Sequence, residues 1–349
     1  MTPYPVPPNA TRHWPARRAF TLIELLAVIA IIVLLISILV PTVGRARDQA
    51  KNARTRTTLK AIGDGLEMFK GENEDEVRKT GGYPPSAAAD DPTESGRQNI
   101  FGAQWLVRYL VGKDSLGYVA RRNVPPPLLE NPQQYWEQRY WYATEGGPAG
   151  VTLPLPRVGP YVAPEGLSLA LPEKLRGAPS SPPVDCDANT LKQPVALDTF
   201  GYPILYYAAN ARAAANADAK IARYRNDPPV QAIYTMEDNG LFTGMCGGGT
   251  CLMPPWDFPG VLGGEADDLD NPVHRLSHFG TGTHTADAQT LAAEIAAGKI
   301  ATFPYYILNK SVFENTNRKT AIPYRKDSFL LITAGKDGIY GTSDDVTNF

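Results

Sequence analysis

Residues 17–47 read RRAFTLIELLAVIAIIVLLISILVPTVGRAR. From Leu25 to Gly44 no side chain is charged, a run long enough to cross a bilayer as a helix. One acid, Glu24, sits four residues inside the apolar end that begins at Phe20, and a proline, Pro41, sits near the other end. A carboxylate at the centre of a membrane helix costs roughly 2.5–3.5 kcal/mol or more, so Glu24 calls for a compensating partner. Pro41 removes one helical hydrogen bond and is expected to kink or loosen the helix.

The stretch before it, Met1–Ala19, is polar, proline-rich and basic, with Arg12, Arg17 and Arg18. A secretory signal has an apolar core of about 7–15 residues closed by a small-residue cleavage site. Here the apolar run is near twenty residues and no A-x-A site closes it. Cleavage is therefore expected before the run, between Ala19 and Phe20, leaving a span and not a disposable signal.

The totals set the outer limits. The chain has 349 residues, enough for a membrane segment and one or two folded domains. A hydrophobic share of 43% with 20% charged residues describes a folded protein. The net charge of −2 gives no overall basic surface, so no nucleic-acid partner is expected. With 32 prolines and 31 glycines, much of the chain must be loops, turns and short strands. The three cysteines are Cys186, Cys246 and Cys251. If CGGGTC lies outside the cytoplasm, a Cys246–Cys251 disulfide with Cys186 left over is one expectation. Three unpaired buried thiols are the other, because so short a loop gains little entropy and its geometry is restrictive.

The motif RRAFTLIELLAVIAIIVLLISILVP resembles the N-terminus of type IV prepilins and type II secretion pseudopilins. The resemblance implies that prepilin peptidase cuts before Phe20 and methylates the new N-terminus. Glu24 is then the fifth residue of the mature chain, where the family has its glutamate, and Pro41 also falls on the family pattern. The residue before the cut is usually Gly in the family, whereas here it is Ala19. In the family this glutamate pairs with the N-terminal amine of a neighbouring subunit, which answers the question of cost: a buried carboxylate with an ammonium partner is compensated. The alternative is a glutamate snorkelling from the membrane interface.

One signal conflicts with that topology. Arg45, Arg47, Lys51, Arg54, Arg56 and Lys60 follow the span with Asp48 as the single acid among them, against three arginines before it. A positive-inside count would place the C-terminal side in the cytoplasm. A prepilin peptidase site requires the leader there instead, and the basic stretch is read as a solvated helix face or as a contact to headgroups or acidic neighbours.

Beyond the span, Leu59, Ile62, Leu66 and Phe69 recur at three- and four-residue spacing and predict that the helix continues with one apolar face. KGENEDE and GGYPP end it near residues 71–80. Gly63 and Gly65 either weaken it locally or permit close packing. Residues 80–195 read as an irregular insertion with one helix at IFGAQWLVRYLVG, and residues 211–300 as a second insertion with a helix at AQTLAAEIAAG. LDTFGYPILYYAAN reads as a turn and then a strand, and SFLLITAG as a strand. The tyrosine-rich YYA and PYYIL stretches are read as strand core rather than a base-stacking platform. The first of these segments is similar to the D-x-[WF]-G-x-P-[YF]-x-Y signature of G-type pseudopilins, with Asp198, Phe200, Gly201 and Pro203 matching and Ile204 in place of the first aromatic.

The chain closes on AGKDGIYGTSDDVTNF. Asp337, Asp344 and Asp345 lie within nine residues, and Gly338 and Gly341 allow a tight loop. Calcium takes about six to eight oxygens in irregular geometry, which three carboxylates and free carbonyls can supply. The spacing is not that of an EF-hand. The loop resembles the calcium-binding loop of G-type pseudopilins, which implies Asp337, Asp344 and Asp345 as side-chain ligands and Ala334 and Ile339 as carbonyl ligands. The competing reading is an Asp-Gly hairpin with solvated acids. His274, His278 and His284 lack a completing cysteine or base, and GEADDLD reads as loop acids or a second cation site.

The expected fold is α+β: a long N-terminal helix, half in the membrane and half packed on a small antiparallel sheet, pilin-like with large insertions. The expected divisions are a leader at 1–19, a transmembrane helix at 20–44, its periplasmic continuation at 45–76, and a periplasmic domain at 77–349. The resemblance implies a non-enzymatic subunit of the type II secretion pseudopilus, of the G-like class. It would be anchored once in the inner membrane and assembled with copies of itself and other pseudopilins. A type IV pilin, or a tip-located minor pseudopilin whose insertions bind partners, is the alternative. A membrane-anchored enzyme or binding protein carried on a prepilin signal is the reading from a different class.

Overall fold

The computed structural model describes residues 22–73, 80–86, 100–112, 114–120, 123, 154–175, 190–216, 219–223, 232–243 and 303–349. The chain divides into two units, Met1–Ala50 and Lys51–Phe349. Helix α1, Leu22–Asn73, runs through the division.

From Leu25 to Gly44 α1 carries no charged side chain, and its large apolar side chains from Leu22 to Val43 are exposed. By length and composition it can cross a membrane. The segment stays helical through Pro41. Around the proline the hydroxyls turn back onto the backbone: Ser37 Oγ donates to Leu34 O at 2.7 Å, and Thr42 Oγ1 to Leu39 O at 2.7 Å. In a solvent without water, such internal bonds are what a polar group in a helix requires.

In the second unit the remainder of α1 buries one stripe: Thr55, Leu59, Ile62, Leu66, Phe69 and Asn73. Phe69 sits among Tyr109, Tyr118 and Tyr161, with ring centroids 5.4, 5.7 and 5.6 Å away. Gly65 answers its open question in favour of close packing, since a Cβ there would meet Val162 Cγ2 at 2.4 Å. The remaining elements are α2 (Gly102–Leu110), β1 (Ser168–Ala170), β2 (Val195–Leu197), β3 (Leu205–Ala208), α3 (Ala211–Ala214), β4 (Lys220–Arg223), β5 (Ala232–Thr235), α4 (Gly240–Thr243), α5 (Phe303–Tyr306), α6 (Lys310–Asn315), β6 (Phe329–Thr333) and β7 (Val346–Thr347).

The central sheet has the order β3-β6-β7 and is antiparallel, with Leu205 opposite Ile332 and Thr333 opposite Val346. Alternate residues of β3 and β6 enter different cores. Tyr206, Ala208, Phe329 and Leu331 pack with α1 and α2. Leu205, Tyr207, Leu330 and Ile332 pack with α3 to α6 and with β4 and β5. The sheet is therefore covered on both faces, which explains why LYYA and FLLIT are continuous apolar runs without alternation. β1 and β2 form a separate antiparallel pair, and β4 and β5 a parallel one that the sequence reading did not anticipate.

Two expectations change. The IFGAQWLVRYLVG helix is α2, and it is wholly buried, so this part of the first insertion is core. Asn239 ties it to the sheet, accepting from Ala103 N at 2.8 Å and donating to Tyr206 O at 2.7 Å. PYYIL is not strand: Tyr305 and Tyr306 lie in α5, and Pro304 stands in the first helical turn, where its missing N–H costs nothing. The AQTLAAEIAAG helix, the three cysteines, His274, His278, His284 and the GEADDLD acids lie outside the described residues.

Candidate functional site

Two sites follow from the sequence, one at each end of the chain. At the N-terminal end Ala19 and Phe20 lie outside the described residues, while Glu24 occupies the first turn of α1. There the exposed N–H groups of a helix end favour negative charge. The six cationic side chains at Arg45, Arg47, Lys51, Arg54, Arg56 and Lys60 are all exposed along α1.

At the C-terminal end, the segment between β6 and β7 doubles back on itself. Gly335 opens the turn with φ +62°, and a Cβ there would strike Asp344 O at 2.4 Å, so no side chain fits. The carboxylates organise the loop. Asp344 Oδ2 accepts from Lys336 N at 2.8 Å and Asp337 N at 3.1 Å. Asp337 Oδ1 accepts from Ile339 N at 2.8 Å. Asp345 Oδ2 accepts from Gly341 N at 2.7 Å and from the Tyr306 hydroxyl at 2.6 Å.

The structure brings Asp337 and Asp344 together and turns Asp345 toward Tyr306. Asp344 takes the Asp337 amide, and the two carboxyl groups are driven apart in acidity. Burial raises Asp337. Burial would raise Asp344 too, but the hydrogen bonds from Thr342, Asp337 and Lys336 outweigh it and hold Asp344 below the usual carboxylate range. Burial pushes Asp345 up to about 7, against the lowering effect of its bonds from Tyr306, Gly341 and Thr342. Carboxyls raised by burial within one loop, as Asp337 and Asp345 are, are donors whose charge a cation would compensate. Among the described residues, no group of three or more His, Cys, Asp or Glu stands where it could hold a metal ion together.

Two participants were not singled out in the sequence. Thr342 Oγ1 lies 2.5 Å from Asp344 Oδ1, 3.3 Å from Asp345 Oδ1 and 3.2 Å from Ile339 O. Its place two residues before Asp344 was a readable signal for a local hydroxyl–carboxylate contact. Tyr306 comes from α5, far away in the sequence, and nothing local announces it.

The loop is interleaved with the turn of LDTFGYP. A Cβ on Gly338, at φ +75°, would meet the Tyr202 ring at 2.5 Å, so the ring lies directly against the loop backbone. In the opposite direction the Tyr340 hydroxyl donates to Pro203 O at 2.5 Å.

Comparison with known proteins adds one match. Residues 14–40 fit the family model of the prokaryotic N-terminal methylation motif. That motif, followed by a long apolar helix, fits the type IV pilin and pseudopilin family, and it implies processing by prepilin peptidase and assembly into pilus-like filaments. No curated protein and no solved structure matches the chain.

Proposed function

From the premise that this chain is a type IV pilin-like protein with an N-terminal membrane anchor, we propose that it is a structural, non-enzymatic subunit of a type II secretion pseudopilus, of the G-like class. The domain after α1 is periplasmic in this reading, and the subunit leaves the membrane to join a filament that aids protein export. The observation that carries the reading is the contact between its two G-like segments. The Asp198–Pro203 turn and the C-terminal acidic loop are far apart in the sequence and pack on each other through Tyr202, Gly338, Tyr340 and Pro203.

The acidic loop is proposed to bind calcium. Asp337 and Asp344 would hold it with the carbonyls of Ala334 and Ile339, and Asp345 would complete the set on turning from Tyr306. Calcium would supply positive charge that compensates the acids of the loop. The chain's own contribution is the cradle: Gly335 brings the two ends of the loop together, and Thr342 and the Lys336 and Asp337 amides fix the orientation of Asp344.

The size of the chain supports a second reading, a tip-located minor pseudopilin or a type IV pilin, because residues 80–195 and 211–300 add bulk that a densely packed shaft must accommodate. Locating the protein in intact filaments separates the two. Distribution along the shaft, with export lost when the chain is deleted, is expected. Restriction to the tip supports the second reading, and normal export without the chain overturns both secretion readings.

A further inference from the structure

The Asp198–Pro203 turn does more than join β2 to β3. Asp198 is only 4% exposed. Its Oδ1 accepts from Phe200 N at 2.8 Å and Tyr202 N at 2.9 Å, and the backbone closes with Asp198 N donating to Tyr202 O at 2.8 Å. Its Oδ2 is buried and finds no hydrogen-bond partner among the described residues. Half of this carboxyl is thus fully satisfied and half is not, an arrangement that penalises the charged form.

The next residue grips α1. Thr199 Oγ1 lies 2.8 Å from Thr55 Oγ1 and donates to Lys51 O at 3.0 Å. Lys51 Nζ sits 4.8 Å from the centre of the Phe200 ring. The residue that orders the turn is therefore adjacent in sequence to the residue that holds the helix.

We propose that Asp198 makes this turn a proton-sensitive latch on α1: protonated, it keeps Thr199 on Lys51 and Thr55, and on losing its proton it loosens that hold. Asp198 is a positioning residue here, acting through Thr199. The groups facing it are few. Lys51, from α1, favours the carboxylate but is exposed and screened by water. The Tyr340 phenol faces it from the C-terminal loop, buried and neutral. Within the turn the Phe200, Gly201 and Tyr202 amides favour the carboxylate. Burial outweighs all of these and pushes Asp198 up to about 6, from an ordinary value of 3.8. A carboxyl raised on folding contributes stability that is fully present below its unfolded value and is lost as pH rises through its folded value. The hold therefore weakens from about pH 4 to pH 7, and about a tenfold rise in the opening constant falls between pH 5 and pH 7.5. The inference does not depend on calcium or on the place of the protein in a filament.

Hydrogen exchange of the full-length protein in detergent micelles, normalised to the intrinsic rate at each pH, tests it. Protection at residues 198–202 and 51–59 is expected to fall together by about tenfold from pH 5 to pH 7.5. Asp198→Asn is expected to hold its protection constant over that range. Thr199→Val is expected to keep the response in the turn and lose it in α1. The wild-type readings decide even if a variant fails to fold: flat protection at both segments, or a response confined to the turn, overturns the proposal. A pH response that persists unchanged in Asp198→Asn overturns it as well.

Discussion

Glu24 is a carboxylate in the first turn of an apolar helix, and the proposed filament would give it a partner in the N-terminal amine of a neighbouring subunit. Breaking a buried ion pair by removing one partner costs about 3–5 kcal/mol, because the other charge is left uncompensated. Glu24→Ala is therefore expected to deplete assembled filaments strongly while leaving the monomer inserted. The Lys51–Phe349 unit draws on α1 from Lys51 onward, far along the helix from Glu24, so its melting midpoint should not move. Filament yield after shearing, measured beside the midpoint of the detergent-extracted monomer, checks this. Wild-type filament yield in the mutant would remove the pairing argument. At this scale the sequence was most informative where chemistry is local. Glu24 and Pro41 stand out from the apolar run, and Asp344 and Asp345 stand out from the glycine-rich loop. Tyr306, which holds Asp345, and Asn239, which bridges α2 and β3, act across long stretches of chain and leave no local trace.

At the scale of elements, the C-terminal loop makes the sharpest prediction. A ligand that binds only the folded state stabilises it by about 2.7 kcal/mol at a hundredfold excess over Kd. Calcium is expected to raise the melting midpoint of the detergent-extracted protein relative to chelator. Magnesium should do so much less, since it demands near-octahedral geometry and dehydrates reluctantly. The Asp344→Ala, Asp345→Ala double mutant should lose the calcium response. An equal shift in both proteins would place the cation elsewhere, with GEADDLD the first segment to inspect, and no shift in either would leave an Asp-Gly hairpin with solvated acids. Element legibility followed length. The stripe on α1 repeats over several turns and was readable as a period, and β3 and β6 were readable as apolar runs. α5 and the parallel β4–β5 pair are four residues each, too short for any period to declare itself. α2 was readable as a helix, but its burial was not, because a short amphipathic pattern cannot say how many sides a tertiary fold will cover.

For the whole molecule, the long N-terminal helix and the α+β character were legible because the apolar span and the stripe are long-range patterns. The two-sided burial of the sheet was hidden in segments read as insertions, whose residues supply α2 on one face and α3, β4, β5 and α4 on the other. The N-terminal methylation motif matched at residues 14–40 implies a covalent consequence. Intact-mass analysis of the membrane-extracted protein measures that consequence directly. The mature chain is expected to begin at Phe20 and to carry one added methyl group on its N-terminal amine. A protein that retains Met1–Ala19, or one that begins after residue 40 and so has lost the span, would contradict the pilin-like account.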